Sequence, residues 1–120
     1  MNAIFPIIEL IDRLAIAEVK HEKTQRNQVE VDWYKTSFDK YDFQIIKYDY
    51  ESLKDVHRKI WALEAELKSH NEHLLSLEEI GRRAIEIRNY NHTRIELKNS
   101  IASKLNCQVR EFKADHLSAQ

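Results

Sequence analysis

Turn-forming residues are almost missing from this chain, which holds one glycine and one proline in 120 residues. An all-β domain needs such residues between its many short strands, so that class is excluded. Cysteine also occurs once, as Cys107. No internal disulfide can form, which fits a reducing compartment. Beside Leu105 and Val109 the thiol reads as a small hydrophobe or a half-exposed group rather than a nucleophile. An excess of charge of one sign is lacking too. The 19 basic and 20 acidic residues leave a formal charge of -1, and no run of Lys and Arg stands out. The electrostatic footprint of a nucleic-acid binder is therefore absent. The final absence is an unbroken apolar run. Ile4 to Val19 is rich in Ile, Leu and Ala, but Glu9, Asp12, Arg13 and Glu18 interrupt it. No uncharged stretch approaches the ~20 residues that span a bilayer, and the start lacks the pattern of a signal peptide. A cytoplasmic protein with neither nucleic acid nor membrane as partner is expected.

What the chain does contain is helix-forming. Charged residues make up 32% and hydrophobic residues 42%, enough for a core in a domain of this size without metal or disulfide. The expected class is all-α, an antiparallel bundle of about four long helices. The bundle is assigned to residues 1–106 and a weakly ordered tail to 107–120.

The first helix opens at Pro6, whose fixed φ suits a first turn, and its pattern runs to about His21. Ile4, Ile7, Ile8, Ile11, Leu14, Ala15 and Val19 form one apolar face, which Leu10, Ile16 and Ala17 widen. A stripe that broad predicts burial on more than one side. Thr24 to Asn27 reads as a helix start or a short break. Val29 to Tyr48 is aromatic, and Val29, Trp33, Tyr41, Ile45 and Tyr48 fit one helical face; an extended piece at Val29–Trp33 fits as well. Asp49 or Ser52 can cap a third helix. Its seam is Leu53, Val56, Ile60, Leu63, Leu67 and Leu74, with His70 in a polar slot. Ser76-Leu77-Glu78-Glu79 is a capping box for a last helix reaching Leu105.

Followed at the same spacing, the seam of the last helix reads Ile80, Ala84, Ile87, Asn91, Arg94, Lys98, Ile101, Leu105. An amide and two cations thus occupy core-facing slots and must find partners there. The first helix offers Glu9, Asp12, Arg13 and Lys20, and the third offers a stripe of His57, Trp61, Glu64 and Lys68. Two readings stay open. In one, Glu9, Asp12 and Glu64 neutralise Arg13, Arg94 and Lys98 and fix the register of the bundle. In the other, Arg13, Lys20, Arg94 and Lys98, with Asn91, hold a phosphate or carboxylate, and Trp61 supplies a stacking wall.

Other constellations carry less. His70 and His73 lie one turn apart, but no third ligand is fixed beside them, so they read as a solvated pair rather than a metal site. No glycine-rich phosphate loop and no nucleophile triad is present. Neither a cofactor nor a catalytic residue is therefore assigned.

Three blocks carry a resemblance. They are Glu9-Leu10-Ile11-Asp12-Arg13-Leu14-Ala15-Ile16-Ala17-Glu18-Val19-Lys20, then Leu53-Lys54-Asp55-Val56-His57-Arg58-Lys59-Ile60-Trp61-Ala62-Leu63-Glu64, then Asn91-His92-Thr93-Arg94-Ile95-Glu96-Leu97-Lys98 followed by Ile101. In this order they resemble an uncharacterised family of small bacterial helical proteins, a domain of unknown function often found among surface-polysaccharide and glycosyltransferase genes. The blocks cover under half of the chain. The family usually has Lys where this chain has Arg13, and the aromatic stretch matches no motif of it. The resemblance implies that Glu9, Asp12, Arg13, Lys20, Trp61, Glu64, Asn91, Arg94 and Lys98 belong together. It implies no activity.

The expected function is a small non-catalytic binding or accessory module whose polar cluster takes an anion such as phosphate, a nucleotide or a sugar nucleotide. The alternatives are a small helical enzyme acting on an anionic metabolite by electrostatic stabilisation and a structural homodimer joined through the aromatics between Trp33 and Tyr48.

Overall fold

Pro6 has no N–H to leave unsatisfied at a helix start, and its carbonyl accepts from the Glu9 and Leu10 amides at 2.9 and 3.3 Å. From there α1 runs over Ile7–Thr24, in a computed structural model that describes residues 6–38, 43–68 and 75–105. The helix stops where Gln25 turns left-handed, at φ 55°, and its N–H bonds to the His21 carbonyl at 2.8 Å. The stretch Thr24 to Asn27 is thus a break between helices. Asn27 ties it down, its side-chain amide donating to the Ala17 carbonyl and to Glu30, both at 2.9 Å.

The second helix, α2, covers Gln28–Thr36. Its end explains a departure from the continuous aromatic helix expected between Val29 and Tyr48. The Thr36 and Ser37 hydroxyls donate to the Asp32 and Trp33 carbonyls at 2.9 and 3.2 Å, a local competition with the helical ladder. The Ser37 and Phe38 amides then close tighter turns onto Tyr34 and Lys35. A 3₁₀ turn follows at Phe43–Ile46. Each break resets the helical phase, so the expected face is not the buried one. Val29, Trp33, Ile45 and Tyr48 are exposed, while Val31, Phe38, Ile46 and Tyr50 are buried; Tyr41 lies outside the described residues.

The third helix, α3, spans Lys47–Lys68. It starts earlier than Asp49 or Ser52 would cap it. Asp49 instead accepts from Ser100 at 3.1 Å and pairs with Lys104 at 2.8 Å on the last helix. The seam expected from Leu53 is confirmed at Leu53, Val56 and Ile60, all buried. The last helix, α4, is the longest, Leu77–Lys104, and Ser76 caps it by accepting from the Glu79 amide at 3.0 Å. The reverse half of the box differs, because the Ser76 hydroxyl meets the Glu79 carboxylate at 3.3 Å.

Contacts between the last two helices run in opposite order. Glu66 meets Arg83, Lys59 lies over the Tyr90 ring, and Asp49 meets Ser100 and Lys104. The pair is therefore antiparallel, and α1 packs against both. Ile8, Ile11, Leu14 and Ala15 of α1 join Leu53 of α3 and Ile101 and Ala102 of α4 in the core. Arg58 grips Glu22 with two parallel hydrogen bonds of 2.9 and 2.7 Å, which latches the end of α1 to α3. The charge and hydrogen bonds of Arg58 hold the Glu22 carboxyl below its ordinary range. The result is an all-α bundle, and no strand occurs among the described residues. None of its described helices is long and apolar enough to cross a membrane. His70, His73, Leu74, Cys107 and the expected tail from residue 107 lie outside the described residues.

Candidate functional site

Successive residues on an α-helix are separated by about 100°. On α1 that places Asp12 beside the stripe of Ile8, Ala15 and Val19, and it carries a carboxylate into the core. Asp12 is 5% exposed, and the two charged or polar side chains nearest to it in burial are His57 at 8% and Lys98 at 2%. Such groups are costly to bury unless each finds a partner. Here they find one another. His57 Nε2 lies 2.8 Å from Asp12 Oδ1, while Lys98 Nζ and Arg94 Nη1 lie 3.8 and 3.9 Å from Oδ2. Lys98 also donates to Glu9 Oε1 at 2.8 Å.

Burial alone would push the Asp12 carboxyl upward. The hydrogen bond and charge of His57, with the charges of Arg94 and Lys98, outweigh it and hold Asp12 below its ordinary value. An ionised carboxylate only accepts, so His57 Nε2 carries the proton in their bond. Glu9 and Asp12 together balance Lys98 and Arg94. Lys98 is fully committed to this balance and sealed from solvent. Arg94 is different, with a quarter of its side chain exposed.

Arg94 opens onto a cleft of about 280 Å³ between α1, α3 and α4. Ile16, Val19, Ile60 and Ile87 form its apolar walls, and Trp61, His57, Glu64 and Asn91 join Arg94 as its polar lining. The cleft offers donors from Asn91 and Arg94, an acceptor in Glu64 and an aromatic surface in Trp61. No hydroxyl or thiol is among its described lining residues. Chemically this suits holding a polar ligand better than forming a covalent intermediate.

Of the residues expected to act together, Glu9, Asp12, Arg94 and Lys98 form the ion network, and Trp61, Glu64, Asn91 and Arg94 line the cleft. Glu64 meets Lys68 along α3 at 3.5 Å. Two expected members are elsewhere. Lys20 pairs with Glu30 of α2 at 3.2 Å. Arg13 is exposed, one residue and so about 100° around α1 from Asp12. His57, placed by its spacing in the stripe of α3 but left out of the expected network, is the closest partner of Asp12. Its position was a usable signal, because His57 follows Val56 of the seam and lies one turn from both Leu53 and Ile60, at the edge of the buried face.

Comparison with protein families, characterised proteins and solved structures finds no match to this chain.

Proposed function

We propose that the protein is a non-catalytic helical module that binds a small anion carrying neighbouring hydroxyl groups, as a sugar phosphate or nucleotide does. The observation that carries this reading is the double position of Arg94, which touches the buried Asp12 network and also lines the open cleft. A guanidinium held in place from behind is suited to grip a phosphate or carboxylate. Asn91 adds donors, and Trp61 gives a face for a ring. Glu64 on the same lining favours ligands that present a hydroxyl to it over bare anions. A volume of about 280 Å³ limits the buried portion to one ring or one phosphate-sized group. Lys98 serves the site indirectly, by neutralising Glu9 and Asp12.

The test is a thermal-shift titration with inorganic phosphate, glucose 1-phosphate, UMP and UDP-glucose. A ligand at ~100 times its dissociation constant adds about 2.7 kcal/mol, on the order of 10 °C for a domain of this size. The shift is expected to vanish in Arg94→Gln and to weaken in Trp61→Ala, each unliganded variant remaining folded. No shift with any of the four ligands, or a shift indifferent to Arg94→Gln, overturns the proposal.

A homodimer is the second reading. It is favoured by the outer face of α2, where Val29 is 83% and Trp33 61% exposed. Gel filtration over a dilution series, with Trp33→Glu as control, separates it from a monomer.

A further inference from the structure

One buried carboxylate serves two cations that differ in kind. Asp12 offers Oδ1 to His57 Nε2 at 2.8 Å and Oδ2 to Arg94 Nη1 at 3.9 Å. Both partners also line the cleft of about 280 Å³. A ligand in that cleft and the carboxylate behind it therefore share the same two side chains.

Arginine keeps its charge at any pH a folded protein meets, whereas an imidazole changes its charge between about pH 5 and 8. The bond to Asp12 fixes where that change occurs. Nε2 holds its proton as donor to the carboxylate, so the proton that comes and goes is the one on Nδ1. The charged groups of the surrounding network are Asp12 and Glu9 from α1, and Arg94 and Lys98 from α4. On α3 itself Glu64 shares the cleft lining. Burial acts to raise the Asp12 carboxyl, but His57, Arg94 and Lys98 outweigh it and keep the group ionised. With His57 neutral, Asp12 draws its counter-charge from Arg94 and Lys98. With His57 charged, the imidazolium supplies it from the shorter distance, and the Arg94 guanidinium has more of its charge to offer the cleft. The two states differ by one unit of positive charge at the cleft lining, whatever total charge surrounds it.

We propose that His57 makes anion binding in the Arg94 cleft proton-coupled, so that the ligand is held in mild acid and released as the imidazole loses its proton. This rests on the reading of that cleft as an anion site. The coupling is reciprocal: the bound anion strengthens proton binding at His57 by the factor by which the proton strengthens anion binding.

The test uses two anions whose own charge is constant near neutral pH, UDP-glucose and glucose 6-sulfate, so that a pH dependence belongs to the protein. Calorimetric titrations of the full chain are run at about pH 5.5 and about pH 8. Affinity is expected to fall about tenfold between them, an ordinary size for such a coupling. Midway, binding is expected to take up protons, read as an enthalpy that differs between buffers of unequal ionisation heat. His57→Gln keeps an amide donor for Asp12 and cannot take a proton, and its affinity is expected to be equal at both pH values. Because position 57 is buried, histidine NMR of the unaltered protein gives an independent readout. The His57 ring signal is expected to titrate at higher pH with ligand than without. Affinity flat with pH, a pH dependence that survives in folded His57→Gln, or a ring titration indifferent to ligand overturns the inference and leaves the anion site standing. Binding of neither anion at any pH overturns the site and the inference with it.

Discussion

Lys98 is the most deeply buried charged side chain described, at 2% exposure, and replacing it with methionine tests what the central network does. Methionine keeps the length and apolar stem of lysine and removes only the ammonium. Two carboxylates then lose their shared partner. Glu9 has a third of its side chain in solvent and turns outward at little cost. The Asp12 side chain is 6% exposed and stays buried, retaining His57 at 2.8 Å and Arg94 at 3.9 Å. Breaking a buried pair by removing one member costs about 3–5 kcal/mol, and the partial compensation of both carboxylates puts Lys98→Met at the lower end, about 3 kcal/mol. Asp12→Ala leaves His57, Arg94 and Lys98 facing one another and belongs at the upper end, about 5 kcal/mol.

Urea unfolding followed by circular dichroism reads these losses directly. With a slope of about 1–3 kcal/mol per molar urea, Lys98→Met lowers the midpoint by roughly 1–3 M. The control is Lys20→Gln, which removes an ion pair of similar length, 3.2 Å, whose partners are 41% and 39% exposed. Water and salt screen that pair, and its loss costs below about 1 kcal/mol. Because Lys98 and Asp12 share one network, the double variant Asp12→Ala/Lys98→Met should cost less than the sum of the singles by about 1–3 kcal/mol. A loss in Lys98→Met no larger than in Lys20→Gln, with unchanged slope, refutes the claim that this network holds the bundle.

Three further outcomes follow from single side chains. The folded-state pKa of Asp12 lies below its unfolded value of 3.8, so its stabilisation is complete above that pH and is lost as pH falls through the lowered value; acid unfolding of Asp12→Asn should lack this step. Burial and the Glu18 carboxylate raise the Tyr50 phenol above its ordinary 10.0. Its stabilisation is therefore present below pH 10 and declines as pH rises beyond it, a decline that Tyr50→Phe should remove from an alkaline melting series. Ser76→Ala removes the cap bond to the Glu79 amide and should cost about 1 kcal/mol, measured by the same urea titration.

How far the fold was legible depends on how long each helix keeps its phase. Over the 28 residues of α4 nothing resets the 3.6-residue period, so a seam read from Ile87 arrives at Lys98 and Ile101 on the buried side. The same holds for Leu53 to Ile60 in α3. Between Val29 and Tyr48 two breaks intervene without any glycine or proline to announce them. Thr36 and Ser37, where α2 ends, are ordinary residues in a helical window, and the tighter turns that the Ser37 and Phe38 amides close onto Tyr34 and Lys35 are visible only in the fold. The packing of Phe38, Phe43 and Tyr50 edge to face against the core is a product of those breaks, which explains why no face drawn through the segment foretold it.

The central site was legible for a narrower reason. A carboxylate inside an apolar stripe and a lysine inside an apolar seam are each implausible alone, and the two together imply each other across the bundle. That argument selects Asp12 and Lys98, and it does not extend to Arg13 or Lys20. Both are cations on the same helix as Asp12, but neither lies in the apolar stripe, so neither had to be satisfied in the core. Lys20 reaches Glu30 of α2 instead, and Arg13 is exposed. His57 is the counterpart case: named in the stripe beside the seam, it is buried between Leu53 and Ile60, where an imidazole needs a partner as surely as Lys98 does. The rule that separates these cases is burial demand. A polar residue belongs to the network when its position forces it out of water, and the Asp12–His57 pair at 2.8 Å is where that demand is met most closely.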